Sequence, residues 1–123
     1  MNEHPLKLKE DILAILRLLS FESDLTQRDL ANQLSFSLGK TNYLLKALAL
    51  VGFLEIRNFS VRNHKAQKVR YLLTKKGLGE KARLTYHFLK EKEREYNFIM
   101  EEWKRIRGKV PLNEQSYEKK NSV

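Results

Sequence analysis

Thr26-Gln27-Arg28-Asp29-Leu30-Ala31-Asn32-Gln33-Leu34-Ser35-Phe36-Ser37-Leu38-Gly39-Lys40-Thr41-Asn42-Tyr43-Leu44-Leu45-Lys46-Ala47-Leu48 contains two helix starts. Thr26 and Asp29 have the spacing of a capping box, in which a hydroxyl and a carboxylate satisfy backbone N–H groups that the first turn leaves without partners. The helix they open is short, with Leu30, Ala31 and Leu34 facing inward. Ser35-Phe36-Ser37 breaks the pattern, and Ser37 is a good N-cap for a further helix running to about Val51. The inward positions of that helix are Thr41, Leu45 and Leu48, and Gly52 ends it in a left-handed conformation. Two short helices joined by a three-residue turn make a helix-turn-helix unit.

Upstream, residues 5–20 read as one more helix. Leu8, Ile12, Ile15, Leu16 and Leu19 fall on one helical stripe, and Pro5 suits a first-turn position. Leu13 and Leu18 lie off that stripe, so this helix meets more than one neighbour. Downstream of Gly52 the apolar period shortens to two. Leu54 and Ile56 alternate with Phe53, Glu55 and Arg57, and Val69, Tyr71 and Leu73 share a face after the polar stretch from Ser60 to Gln67. Two strands around a basic loop form a hairpin, the wing. Thr74 then caps a long helix rich in Glu, Lys and Arg, which Gly108 and Pro111 end near Arg107. The expected fold is mainly α with a small β-hairpin: a winged helix-turn-helix domain over residues 1–77, a long C-terminal helix over 78–107, and a disordered polar tail over 108–123.

The charge is segregated. The 123 residues carry a net +9. Between Ser37 and Lys76 stand nine basic residues (Lys40, Lys46, Arg57, Arg62, Lys65, Lys68, Arg70, Lys75, Lys76) against the single acid Glu55. That window holds +8 of the total, which implies a polyanionic partner: DNA, RNA or an acidic membrane.

Thr26 to Ala31, Ser37 to Leu48, Val51-Gly52-Phe53-Leu54 and Tyr71-Leu72-Leu73-Thr74-Lys75-Lys76-Gly77 together resemble the MarR family of bacterial winged-helix transcription regulators. The likeness runs from about Lys9 to Lys104 and is strongest to the short subgroup associated with exopolysaccharide gene clusters. It implies a cytoplasmic, DNA-binding homodimer that regulates exopolysaccharide-related genes.

The residues give the same direction independently. With Thr41, Leu45 and Leu48 inside, the second helix of the unit presents Gly39, Lys40, Asn42, Tyr43 and Lys46 on its opposite face. Lys reaches guanine O6 and N7 in the major groove, and Asn pairs bidentately with adenine N6 and N7. Gly39 has no side chain to hold the helix off the duplex, and Ser37 offers a hydroxyl and a helix N-terminus to a phosphate. Arg62, Asn63, His64 and Lys65 sit at the expected wing tip, where a loop follows the backbone or places an Arg in a narrow minor groove. The alternative is a winged helix used as a protein–protein or RNA-binding module without an operator.

Catalysis has no footing in these residues. There is no cysteine, hence no disulfide, thiolate metal site or cysteine nucleophile, which suits a reducing cytosol. His4, His64 and His87 have no partner at metal-ligand spacing. Glu101-Glu102 and the alternating Glu91, Glu93 and Glu95 stand among Lys and Arg as a solvated helix face. Ser35 and Ser37 lack the flanking glycines of a nucleophile elbow, and no glycine-rich phosphate loop is present. No cofactor and no metal are expected, and no residue supports a small-molecule effector. Residues 1–5 do not read as a signal peptide, and no apolar run approaches the roughly 20 residues of a membrane span.

In the long helix Leu78, Ala82, Thr85, Leu89, Lys92, Tyr96, Ile99, Trp103, Ile106 and Val110 follow alternating steps of four and three. That is a heptad seam interrupted by Thr85 and Lys92. The early part, Leu78 to Leu89, is expected to pack on the chain's own first helix. Leu89, Tyr96, Ile99, Trp103 and Ile106 are expected to meet a second copy.

Overall fold

A computed structural model describes residues 5–60 and 67–109. In chain order it contains α1 (Pro5–Phe21), α2 (Gln27–Leu34), α3 (Leu38–Leu50), β1 (Leu54–Ser60), β2 (Gln67–Leu73) and α4 (Lys75–Lys109). This is a winged helix-turn-helix followed by a long helix, as the sequence implied. The chain divides into two compact units, Met1–Tyr86 and His87–Val123. The wing tip (61–66) and residues 110–123, where most of the expected tail falls, lie outside the described residues.

Local chemistry sets the element ends. At α2 the Thr26 hydroxyl accepts from the Asp29 N–H at 3.1 Å, and the Asp29 carboxylate accepts from the Thr26 N–H at 3.0 Å, which closes the capping box. Ser35 adopts φ 58° and ψ 38°, and its N–H still bonds to the Ala31 carbonyl, so the chain leaves α2 sharply. At α3 the Ser37 hydroxyl accepts from the Lys40 N–H at 3.1 Å. Gly52 turns the chain out of α3 at φ +88°, a conformation open to glycine at little cost.

β1 and β2 pair antiparallel from Leu54 opposite Leu73 to Ser60 opposite Gln67. An isolated bridge joins Leu25 to Tyr71, whose N–H donates to the Leu25 carbonyl at 3.0 Å. The loop before α2 is thereby tied to the base of the wing.

The core of the first unit is built from Leu13, Ile15, Leu16 and Leu19 of α1, Leu25 of the loop before α2, Leu30 and Ala31 of α2, Leu44, Leu45 and Leu48 of α3, Leu54, Tyr71, and Leu84 of α4. Each large apolar side chain buried here contributes roughly 1.5–3 kcal/mol. Leu13 supplies the second buried edge of α1. Thr41 is fully buried, with its hydroxyl donating to the Ser37 carbonyl at 2.8 Å.

The start of α4 is fastened to the end of α3. The Thr74 hydroxyl donates to the Gly52 carbonyl at 2.6 Å and accepts from the Gly77 N–H at 3.0 Å, while the Lys76 ammonium donates to the Val51 carbonyl at 2.8 Å. A Cβ at position 77 would collide with the Phe53 carbonyl oxygen and crowd the Leu73 side chain.

Two expectations for α4 need correction. Gly77 and Leu84 are its buried residues, whereas Leu78 is 53% exposed and Leu89 is also exposed. The inward positions are thus set by the close approach at Gly77, one position ahead of the heptad count from Leu78. The helix also runs through Gly108 to Lys109. Near a helix end a glycine lowers propensity by about 1 kcal/mol without forcing a stop.

Candidate nucleic-acid interface

α3 has two unlike faces. Thr41, Leu44, Leu45 and Leu48 are buried, and with about 100° between successive residues the opposite face is centred on Gly39, Tyr43, Lys46 and Leu50. Gly39 and Lys46 are exposed, Tyr43 is 68% exposed, and Leu50 projects fully. Nothing stands within 4 Å of the place where a Gly39 Cβ would be. Its neighbourhood on the chain is therefore open to an incoming surface. Asn42 lies half-buried at one margin of this face, Lys40 half-buried at the other, and the capping Ser37 is exposed at the head of the helix.

Of the expected α3 contacts, Gly39, Tyr43 and Lys46 sit together on the outward face, with Asn42 beside them. Lys40 points elsewhere. Its ammonium lies 2.6 Å from Asp11 Oδ2 of α1 and 4.5 Å above the Phe36 ring. Asp11, with its side chain 3% exposed, also receives the Lys7 ammonium at 3.1 Å on Oδ1. Burial pushes the Asp11 carboxyl up, but hydrogen bonds and charge from Lys40 and Lys7 outweigh that push and hold it below the ordinary carboxylate value.

Asp11 was missed in the sequence, although a signal was present. It stands three residues after Leu8 and four before Ile15, an acid set into the apolar stripe of the first helix. An acid on a buried stripe requires a cation close by. The motifs give no sign of Gln27's part, in which its side-chain amide donates to the Leu38 carbonyl at 3.3 Å and links the heads of α2 and α3.

The basic window is less uniform in space than in sequence. Arg57 pairs with Glu55 at 3.5 Å and Arg70 with Asp24 at 3.8 Å. Lys76 is turned onto the end of α3, with its ammonium 5.5 Å from the centre of the Phe53 ring. Lys46 stays in the open on the outward face of α3. The wing residues Arg62, Asn63, His64 and Lys65 lie outside the described residues.

Within the second unit, residues 87–109 expose Leu89, Tyr96, Phe98, Ile99 and Ile106, with Trp103 half-buried. Lys92, a position of the seam, pairs with Glu95 at 3.5 Å, and Arg94 with Glu91 at 2.5 Å. Among the described residues no group of three His, Cys, Asp or Glu side chains is arranged to hold a metal ion, and no helix is long and apolar enough to cross a membrane.

Residues 10–55 match the family model described as winged helix-turn-helix DNA-binding. Solved structures of bacterial regulators align over most of the chain. The adhesin competence repressor of Streptococcus pyogenes aligns at 27% identity and TM-score 0.56, over 81% of this chain and 69% of that one. A second structure of that repressor, at 25% identity and TM-score 0.54, is spanned over 65% of its own length. A MarR family protein of Mycobacterium tuberculosis aligns at 21% identity and TM-score 0.58, over 83% of this chain and 73% of that one. The PcaV transcriptional regulator of Streptomyces coelicolor aligns at 17% identity and TM-score 0.56, over 80% and 79%. The fold is that of the MarR regulators. No curated protein matches the chain.

Proposed function

We propose that this chain is a sequence-specific double-stranded-DNA-binding transcription regulator that works as a homodimer. The observation that carries the reading is the outward face of α3. A capped helix presents Gly39, Tyr43 and Lys46, flanked by Asn42, within the segment that matches a DNA-binding family model. Asn42 is suited to pair with an adenine edge, Lys46 to meet a phosphate or a guanine, and the Ser37 hydroxyl to bond a phosphate at the head of the helix. Arg62, Asn63, His64 and Lys65 of the wing add backbone or minor-groove contacts.

The exposed apolar residues 89, 96, 99 and 106 of α4, with Trp103, support dimer formation through that helix. A two-fold axis would place two recognition helices about 34 Å apart on one face of the duplex and call for an imperfectly palindromic operator. Exopolysaccharide-related genes as targets rest on the sequence resemblance alone.

Titration against duplex DNA at two salt concentrations tests the reading. The expected result is affinity that falls steeply with salt, together with strong preference for one promoter fragment over bulk DNA. A footprint across an exopolysaccharide gene cluster checks the target. Binding to RNA in preference to duplex, or no preference among duplexes, would replace the regulator with an RNA-binding or protein-binding module.

A further inference from the structure

We propose that Asp11 is a positioning residue for α3. Its buried carboxylate holds the Lys40 ammonium, pins the first turn of α3 to α1, and keeps Lys40 out of the set of residues that read bases. The inference rests on the DNA-binding reading above and changes one of its sequence-derived assignments.

Lys40 is anchored twice. Its backbone N–H donates to the Ser37 hydroxyl, and its side chain crosses the Phe36 ring to reach Asp11. Both anchors act on the first turn of α3, the part of a recognition helix that approaches base edges. The Asp11 side chain is 3% exposed against 24% for Lys40 and 56% for Lys7. Swinging Lys40 out to a base would leave the buried carboxylate, among the described residues, facing the well-solvated Lys7 ammonium. Removing one partner of a buried ion pair is strongly unfavourable. The wheel of α3 agrees, since Lys40 lies on the flank between the buried face and the outward one.

The test uses the full chain and the duplex that it selects from a random pool. Asp11→Asn, Lys40→Met, the double variant and Lys40→Arg are titrated on that duplex and on random duplex at several salt concentrations, with thermal unfolding in parallel. Each of the first two changes is expected to weaken binding to the selected duplex about tenfold, a coupling typical of contacting residues. The double variant should be no weaker than the worse single, and Lys40→Arg should restore binding. Base preference at every position should stay as in wild type. The slope of log affinity against log salt should be unchanged in Lys40→Met, whereas Lys46→Met, if it loses a phosphate contact, lowers it by about one.

Additive single effects would overturn the proposal. So would an altered base preference or a lowered salt slope in Lys40→Met without the same change in Asp11→Asn. Should Asp11→Asn fail to fold, Lys40→Met and Lys40→Arg still decide through base preference and slope. If wild type binds no duplex, the DNA reading fails by itself. The unfolding cycle then decides the clamp: non-additive midpoints keep it, and additive ones remove it.

Discussion

α1 and residues 87–109 of α4 both place apolar side chains every three or four positions, and their fates differ. In α1 Leu13, Ile15, Leu16 and Leu19 are buried, with Ile15 and Leu16 at 0% exposure. In the later stretch Ile99 is 64% exposed, and Leu89, Tyr96, Phe98 and Ile106 are exposed with it. A helical apolar period records that a face is made to be covered. It does not record whether the same chain supplies the cover. For α1 the cover is the rest of its own unit, and for residues 87–109 a second copy is the cover proposed above. Ion pairs three residues apart, such as Lys90–Glu93 and Lys104–Glu101, support the helix meanwhile, each at a few tenths of a kcal/mol.

The largest effect expected is at the proposed dimer seam. Burying Ile99 is worth roughly 1.5–3 kcal/mol, and completing the cover of the half-buried Trp103 adds to it, each counted twice in a two-fold dimer. Ile99→Glu with Trp103→Glu should turn a dimer into a folded monomer by light scattering at micromolar concentration, with much weaker DNA binding. A wild-type monomer that binds its operator tightly would erase the contrast between the two helices.

Leu16→Ala in α1 should instead destabilise the first unit by about 2–5 kcal/mol in urea unfolding. Its dissociation constant for self-association should stay as in wild type. A shift in both quantities would mean that α1 also serves the seam.

Much of this was legible because the signals are local. The Thr26–Asp29 box, the Ser37 cap, the Gly52 turn and the Thr74 cap each involve residues within a few positions of one another, so spacing alone identifies them. The outward face of α3 was legible for the same reason, once Thr41, Leu45 and Leu48 were set inside. The rest depends on distant partners. Lys40 belongs by wheel position to either face, and its ion pair with Asp11 of α1 is a contact that spacing within α3 does not show. The inward register of α4 is set by the Phe53 carbonyl, which no periodicity within the helix encodes. The Leu25–Tyr71 bridge likewise joins residues too far apart for a pattern to show.

Smaller effects sharpen the contrast between reading and support. Asn42→Ala should cost roughly 1–3 kcal/mol on the selected duplex and far less on random DNA, compared in parallel titrations. An unchanged ratio would remove Asn42 from the reading face. Thr26→Ala, which opens the capping box at the head of α2, should cost about 1 kcal/mol in urea unfolding. Its ratio of specific to random binding should not move, and a changed ratio would show that the head of α2 takes part in sequence choice.

The close approach of Gly77 to the Phe53 carbonyl has a consequence for how the gene can change length. Loop tips absorb inserted residues because their backbone faces solvent. The junction from Leu73 to Gly77 has no such slack. Thr74 must reach Gly52, Lys76 must reach Val51, and the one residue without a Cβ must lie against the carbonyl. Inserting or deleting one residue there would bring the Cβ of Lys76 or Leu78 against that oxygen and shift both tethers together. The segment between the wing and α4 therefore acts as a fixed-length ruler, and length variation in this chain should be tolerated at exposed loop tips instead.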